Sequence, residues 1–483
     1  MKIKLCLLSI SLILFFDGNA QSNTQLEDFL KAASRNGYSG SVLVAKGGKI
    51  MLENGYGLAD REVKKSETAE TVFSIGSITK QFTAAAILKL EEEGKLKVTD
   101  KLSSYFPQAP DDKMDITLHQ LLTHSAGFEG TIGDDYDNVN AKQFIEAAMQ
   151  SKLLFKPGSQ YEYSNVGYSL LGIIVEKISG LGYEKFLSTK LFGPSKMNST
   201  GYQLPGYSKD ELAVGYQNGK RWGAALDRPW LADGPGWHLR ANGGILSTVG
   251  DMYKWYLSLK NNTVLPKTAT DKLFSPFVAE GPRGLSHYGY GWVIQNVEGT
   301  KIVWHNGGNG VYNAIMSFEP DNDICIIVSS NSNDIISDKI AIQVRKILDG
   351  KGYDALPESI KHEEDEFMKS PVAEKIKTAV IKEGALKFKT DYKNILSSAG
   401  FDFDNDMILE ASAEQLLAVG KTEEAMALYE VYAQLFTKIV LPWNRLGKCY
   451  EKQGNKEKAK ECWQKSVSIR ATNNPAVEWL KKR

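Results

Sequence analysis

Cysteine is scarce in this 483-residue chain, with four in all: Cys6, Cys325, Cys449 and Cys462. Cys6 falls in the N-terminal segment considered below, and the three that remain are too few and too oddly numbered for a disulfide framework. Cys325 lies in D-I-C-I-I-V, a buried-strand pattern, and reads as core. Cys449 and Cys462 read as core thiols on two facing helices rather than as a bridge. The six histidines, at 119, 124, 238, 287, 305 and 362, show no metal-ligand spacing, and H-E-x-x-H does not occur. No metal site and no cofactor are expected. Charge of one sign is also lacking, since Lys plus Arg and Asp plus Glu each total 58. That balance excludes a basic footprint for nucleic acid and steering of a polyanion.

Long apolar runs are nearly absent. The one candidate is Leu5–Phe16, twelve residues, preceded by Lys2 and Lys4 and followed by Gly18-Asn19-Ala20. It is short for a membrane span and has the layout of a secretory signal peptide. Residues 1–20 are therefore expected to be a leader, with the mature chain beginning near Gln21. A soluble protein with no membrane span after cleavage is expected, in the periplasm or secreted.

What is present is ordinary globular composition, 42% apolar and 24% charged, over a length that suits two or three domains. Residues 41–53 are two β-rich runs around Gly47-Gly48, a hairpin signal. Apolar spacing then predicts helices over Lys80–Glu93, Leu118–Thr123, Ala141–Ser151, Val166–Ile178 and Gly250–Leu259. Strand patterns return at Tyr288–Val297 and Thr300–His305 around Glu298-Gly299, then at Val311–Phe318 and Asp323–Ser329. A closing helix is expected over 334–348. Consecutive hairpins require antiparallel pairing. The expected fold is of the α+β type: one antiparallel sheet built from both ends of a front domain over 21–350, beside an all-helical lobe. The boundary between two such lobes is a natural cleft.

Residues 351–373 read as a linker, with Gly352, Pro357, Pro371 and the charged run His362–Glu366. Residues 374–483 read as an all-α domain with an internal repeat. The segment Gly420-Lys-Thr-Glu-Glu-Ala425-Met-Ala-Leu-Tyr429 recurs as Gly454-Asn-Lys-Glu-Lys-Ala459-Lys-Glu-Cys-Trp463, 34 residues on. Ala413 then pairs with Gly447, and Leu416 with Tyr450. The period and the small and aromatic positions resemble the tetratricopeptide helix-turn-helix repeat. These helices are expected either to hold a protein partner or only to pack on the front domain.

Three constellations could carry chemistry. In F-S-I-G-S-I-T-K-Q-F-T-A (73–84), Ser77 and Lys80 stand three apart, so a helix would put them on one face. Ser74 has no such lysine partner. Near Pro157-Gly158 the chain reads Y-E-Y-S-N-V-G-Y, with Tyr163 and Asn165 just before a helix. At a strand end it reads W-H-N-G-G-N-G, with His305, Gly307 and Gly308. An S-x-x-K motif alone is common in long chains and carries little information.

Together, in this order and spacing, Ser77-x-x-Lys80, Tyr163-x-Asn165 and His305-x-Gly307 resemble the three motifs of the serine β-lactamase and penicillin-binding family. L-L-T-H-S-A-G-F (121–128), F-x-P-G (155–158) and Ala241-Asn-Gly-Gly244 followed by Ser247-Thr248 are similar to the branch of class C β-lactamases, soluble D-alanyl-D-alanine peptidases and related esterases and aminopeptidases. The likeness spans roughly residues 25–350. It implies Ser77 as a nucleophile that forms an acyl-enzyme, with Lys80 or Tyr163 as its base. It implies Asn165 as a ligand of the substrate amide, and the amides of Ser77 and Gly308 as an oxyanion hole. Ser164 has no implied role. His305 stands where β-lactamases carry lysine, a departure that replaces a permanent cation with a conditional one; with Gly307 it is expected to bind substrate, His305 ordering Tyr163 or the substrate rather than acting as the primary base. The expected function is an exported serine hydrolase acting on a small-molecule or peptide amide or ester, by peptidase, esterase or lactamase chemistry. The alternative is a penicillin-binding sensor or scaffold whose helical tail holds a protein partner.

Overall fold

The computed structural model describes residues 18–217, 220–281, 284–332, 336–354, 370–403, 407–437, 439–469, 476 and 479–480. Most of the expected leader and of the expected linker lies outside the described residues.

The front of the molecule is organised by one antiparallel sheet. Its strands are β1 (Gly40–Lys46), β2 (Lys49–Tyr56), β3 (Val278–Ala279), β4 (Ser286–Tyr288), β5 (Val293–Val297), β6 (Thr300–Gly308), β7 (Asn313–Glu319) and β8 (Ile324–Ser330). Their spatial order is β2-β1-β8-β7-β6-β5-β4-β3, so the first and last strands of the domain meet at the β1–β8 pair, Val42 opposite Val328. Both chain ends build the sheet, as the hairpin signals imply.

Both faces of the sheet are covered, and the residues of single strands divide between them. Val42, Val44, Ile326 and Val328 pack under helix α1 (Gly18–Arg35) and the later helix Ile336–Leu348. Leu43, Ala45, Cys325 and Ile327 pack into the helical lobe on the other side. Two-sided burial is why β1 and β8 read as continuous apolar runs rather than alternating ones. Helix α2 (Thr79–Glu92) sits at the centre of that lobe, buried at every position except Lys89, Glu91 and Glu92. Ala84-Ala85-Ala86 lets neighbouring elements approach it closely. Helix α3 (Asn165–Ser179) packs against it and ends at Gly180, whose φ of 71° closes the last turn.

Several short elements, such as β3 and the helix Lys267–Leu273, were not expected, and two larger features depart from the sequence reading. Helix α1 had no counterpart in the predicted elements. The single strand expected over Tyr288–Val297 is instead two strands, β4 and β5, broken at Gly289–Trp292. The break brings the chain against α2: a Cβ on Gly291 would stand 2.8 Å from the Lys80 carbonyl oxygen, at a φ of 76°.

Beyond the front domain, four helices form two consecutive hairpins: α5 (Met407–Ala418) with α6 (Thr422–Leu435), then α7 (Leu441–Lys452) with α8 (Lys456–Ile469). Here α4 denotes the helix Ile336–Leu348. Matching helices start 34 residues apart, at 407 and 441 and at 422 and 456. Two more helices, Pro371–Glu383 and Ala385–Ala399, precede them. The small residues do what close packing requires: a Cβ on Gly447 would come within 2.7 Å of the Trp463 ring. Cys325, Cys449 and Cys462 are buried free thiols.

Candidate active site

Ser77 lies in a single 3-10 turn, Gly76–Ile78, that runs directly into α2. The turn places Ser77 over the first turn of the helix, and Lys80 points back at it from the same face. The Lys80 Nζ is 3.1 Å from the Ser77 Oγ. Its other contacts are the Asn165 Oδ1 at 2.7 Å and the Asn242 carbonyl oxygen at 2.8 Å. Lys80 has no exposed surface. Burial, acting by desolvation, holds its amine well below the ordinary lysine pKa, with the negative field of Asp135 opposing.

Asn165 is the first residue of α3, and Ser164 caps that helix by accepting from the Gly167 amide. The capped helix start fixes the Asn165 side chain toward α2. Just before it, the Tyr163 ring lies over the lysine, with Nζ 4.7 Å from the ring centroid. The ring is partly exposed, but its hydroxyl oxygen is buried and makes no hydrogen bond of ordinary geometry. Burial pushes the phenol above its usual pKa; the nearby Ser77 hydroxyl works against this and Glu280 adds to it.

The third segment is the end of β6. Gly307 and Gly308 run alongside the Ser77 turn in backbone contact. A Cβ on Gly307 would meet the Ile75 oxygen at 2.0 Å and the Ser77 nitrogen at 2.7 Å, and one on Gly76 would meet the Gly308 nitrogen at 2.6 Å. Only glycine fits at this approach. The backbone nitrogens of Ser77 and Gly308 thus both lie at this close approach, and both residues line the same cavity. Ser74 is held from the same direction, its Oγ accepting from the Asn309 Nδ2 at 3.1 Å.

His305 is in the same cluster but is not a free base or cation. Its Nδ1 is 2.5 Å from the Asn306 carbonyl oxygen, which can only accept, so Nδ1 carries the proton. Nε2 then accepts from the Tyr288 hydroxyl at 2.9 Å. Burial and the field of Lys80 pull its pKa down to about 3, leaving the ring neutral throughout the physiological range.

A cavity of 380 Å³ opens on Ser77 and is lined by Tyr163, Glu280, Tyr288, Trp304, His305 and the Gly307–Gly308 backbone, among others. The seven residues singled out from sequence, Ser77, Lys80, Tyr163, Asn165, His305, Gly307 and Gly308, therefore converge. Three further contributors were not singled out. Asn242 supplies a backbone carbonyl to Lys80, and its side chain is pinned by donating to the Ser169 Oγ and the His238 carbonyl. His124, at a φ of 57°, accepts the Ser164 amide on Nδ1 at 3.0 Å and packs its ring 4.2 Å from that of Tyr163. Glu280 places a carboxylate in the cavity wall, its Oε1 accepting from the Tyr161 hydroxyl at 3.0 Å. The quoted L-L-T-H-S-A-G-F and A-N-G-G segments contained the first two; no local pattern marks Glu280. Among the described residues, no cluster of His, Cys, Asp and Glu could hold a metal ion.

A buried lysine on a serine hydroxyl, with two amides beside it, is the layout of a serine acyl-transfer site. The chain belongs to the β-lactamase family, whose sequence model matches residues 25–346. That family consists generally of serine hydrolases. A tetratricopeptide repeat model matches residues 440–473, the second of the two helical hairpins. Penicillin-binding protein 4* of Bacillus subtilis is 29% identical over 348 residues, covering 68% of this chain and 76% of that protein. The octameric penicillin-binding protein homologue from Pyrococcus abyssi superposes with a TM-score of 0.59 at 29% identity, over 72% of this chain and 81% of the other. D-amino acid amidase from Ochrobactrum anthropi SV3, complexed with D-phenylalanine, shares the fold at a TM-score of 0.56 and 19% identity, over 68% of this chain and 99% of its own.

Proposed function

We propose that the protein is a serine hydrolase that opens an amide or ester through an acyl-enzyme on Ser77. One observation carries this reading. Lys80 gives two of its three contacts to groups that can only accept, the Asn165 Oδ1 and the Asn242 carbonyl. A neutral amine has two N–H bonds and one lone pair. With both N–H bonds committed, the lone pair is aimed at the Ser77 hydroxyl, and desolvation favours that neutral form. Lys80 is then the base of the resting site, while Tyr163 keeps its proton because burial raises its pKa.

The reaction follows from these assignments. The Ser77 Oγ attacks the substrate carbonyl as its proton passes to Lys80. The N–H groups of Ser77 and Gly308 hold the developing oxyanion; each such donor is worth roughly 3–4 kcal/mol when aimed at the charge. The bond to the leaving group breaks as that group takes up a proton from Lys80, with the Tyr163 hydroxyl beside it. Water then cleaves the Ser77 ester, giving its hydrogen to Ser77 and its hydroxyl to the acyl group. Asn165 holds Lys80 and the substrate amide, and His305 fixes Tyr288 in the cavity wall rather than exchanging protons.

The domain boundaries proposed with this function are a hydrolase unit over 21–350 and a helical-repeat unit over 374–483. Residues 1–20 would direct export, placing the enzyme in the periplasm or outside the cell. Among the described residues no helix is long and apolar enough to cross a membrane. A second reading, a penicillin-binding sensor or scaffold, draws on the two helical hairpins, which suit a protein partner. Turnover decides between them. Purified protein is offered nitrocefin, short-chain aryl esters and D-alanyl-D-alanine peptides, alongside a fluorescent penicillin. Multiple turnovers on any one substrate, abolished in Ser77→Ala, support the hydrolase. A stoichiometric adduct with no turnover of any substrate favours the sensor.

A further inference from the structure

The charges around Ser77 are unbalanced in a way that the family's usual third-motif lysine would correct. Among the described residues, Glu280 is the one acid lining the cavity, and no lysine or arginine lines it. Among the described residues Glu280 makes no ion pair; its partner is the neutral Tyr161 hydroxyl. His305, at the position of that lysine, is neutral and has both ring nitrogens engaged. Lys80, the neutral base of the resting site, is fully buried behind Ser77 and its contacts are taken. A second carboxyl, Asp135, is close enough to Lys80 for each to influence the other's titration. Among the described residues, the phenols of Tyr161 and Tyr163 feel the field of Glu280, and neither is a cation.

A carboxylate entering this cavity would approach Glu280 with no cation among the described lining residues to compensate. An ammonium would find an acceptor with a free oxygen, in a setting of low dielectric where a charge-assisted hydrogen bond is strong. The cavity is small, so such a group must lie within a few bonds of the carbonyl that Ser77 attacks.

We propose that the site selects acyl donors that carry an ammonium close to the scissile carbonyl, held by Glu280, and disfavours those that carry a carboxylate there. The substrate class is then an amide or ester of an amino acid, or a peptide, with its amino group free. The proposal rests on the serine hydrolase reading above and adds only what the enzyme accepts. Chemistry at Ser77 is unchanged: the C–O bond to Ser77 forms, the C–N or C–O bond to the leaving group breaks, and water restores the hydroxyl.

The test uses the full chain and three matched substrates: alanine p-nitroanilide in both enantiomers, its N-acetyl form and its N-succinyl form. The expected order in kcat/KM is free amine first, by about tenfold or more over N-acetyl, with N-succinyl last. In Glu280→Gln the gap between free amine and N-acetyl should close, with Tm reporting that the variant is folded. Glu280→Lys, an independent variant, should reverse the order in favour of N-succinyl. Equal or faster cleavage of the N-succinyl compound by the unaltered protein overturns the proposal, as does an amine preference that survives in both variants. An uncharged fluorophosphonate separates the two levels. Labelling of Ser77 without any amine preference sinks the substrate assignment alone, whereas failure to label Ser77 sinks the hydrolase reading and this proposal with it.

Discussion

The front domain and the helical tail bury different things. In the tail, the buried polar side chains among the described residues are Ser412, Gln415 and Ser466, set among Ala, Leu, Tyr and Trp. The front domain buries ionisable groups as well: Lys80 without exposed surface, and His124 and His305 at 1% and 2% exposure. Packing alone gives no reason to place an amine and two imidazoles in a core, because each costs solvation that contacts must replace. The tail is what a chain does to hold helices together. The front domain accepts part of that cost around Ser77, where Lys80, His124 and His305 lie close enough to feel one another's charge.

Four substitutions test that contrast, taken from the largest expected effect to the smallest. Ser77→Ala should lower turnover at least about 1,000-fold, as loss of a nucleophile does in acyl-transfer sites, while circular dichroism and Tm stay near those of the parent. Lys80→Met keeps the length of the side chain and removes the amine. Turnover should fall roughly 10²–10⁴-fold, and Tm should fall too, since the Asn165 Oδ1 and Asn242 carbonyl lose their donor. A pair of glycine substitutions sets the two regions side by side. Gly307→Ala drives a methyl into the Ile75 oxygen and should cost about 1–3 kcal/mol together with activity. Gly447→Val presses on Trp463 and should lower tail stability by a similar amount with turnover unchanged. Loss of turnover in Gly447→Val would mean that the tail and the Ser77 site are energetically coupled.

Glu67→Gln should have the smallest effect on activity but a clear one on stability. Glu67 is 5% exposed, neither carboxyl oxygen makes a hydrogen bond of ordinary geometry, and burial pushes its pKa up to about 8, against the pull of Thr71 and Lys65. The folded pKa is raised above the unfolded value. Stability from this group is therefore full below about 4.5 and is lost progressively as pH rises through about 8. Glu67→Gln should match the parent near pH 4.5 and exceed its Tm by several degrees at pH 8. Equal Tm values at pH 8 would show that the carboxyl is solvated.

How much of this was legible in the sequence varies with the kind of signal. The tail announced itself by period, and the helices at 407 and 441 and at 422 and 456 begin where the 34-residue offset puts them. The sheet from both chain ends followed from hairpin glycines and apolar runs. Ser77, Lys80, Tyr163, Asn165 and His305 could be named because motif spacing survives in one dimension. Glu280 could not, since it comes into the cavity only when the short strands β3 and β4 fold back beside β5. Asn242 could not be assigned a contact, because it acts on Lys80 through its backbone. The break at Gly289–Trp292 was missed although two glycines marked it, because the flanking Tyr, Trp, Val and Ile residues suited a continuous strand. Helix α1 follows directly on the leader-like run, and its mixed polar sequence gave no clear apolar period.

The central claim, that a neutral Lys80 draws the proton from Ser77, is tested most directly by the pH dependence of Ser77 modification. The second-order rate of phosphonylation by an uncharged fluorophosphonate would be followed from pH 5 to 11, with the adduct located by peptide mass spectrometry. The account predicts label on Ser77 at a rate that reaches its plateau well below the ordinary lysine pKa of ~10.4 and is lost in Lys80→Met. A rate still climbing at pH ~10, where an unperturbed lysine or tyrosine titrates, or label on any residue other than Ser77, would contradict it.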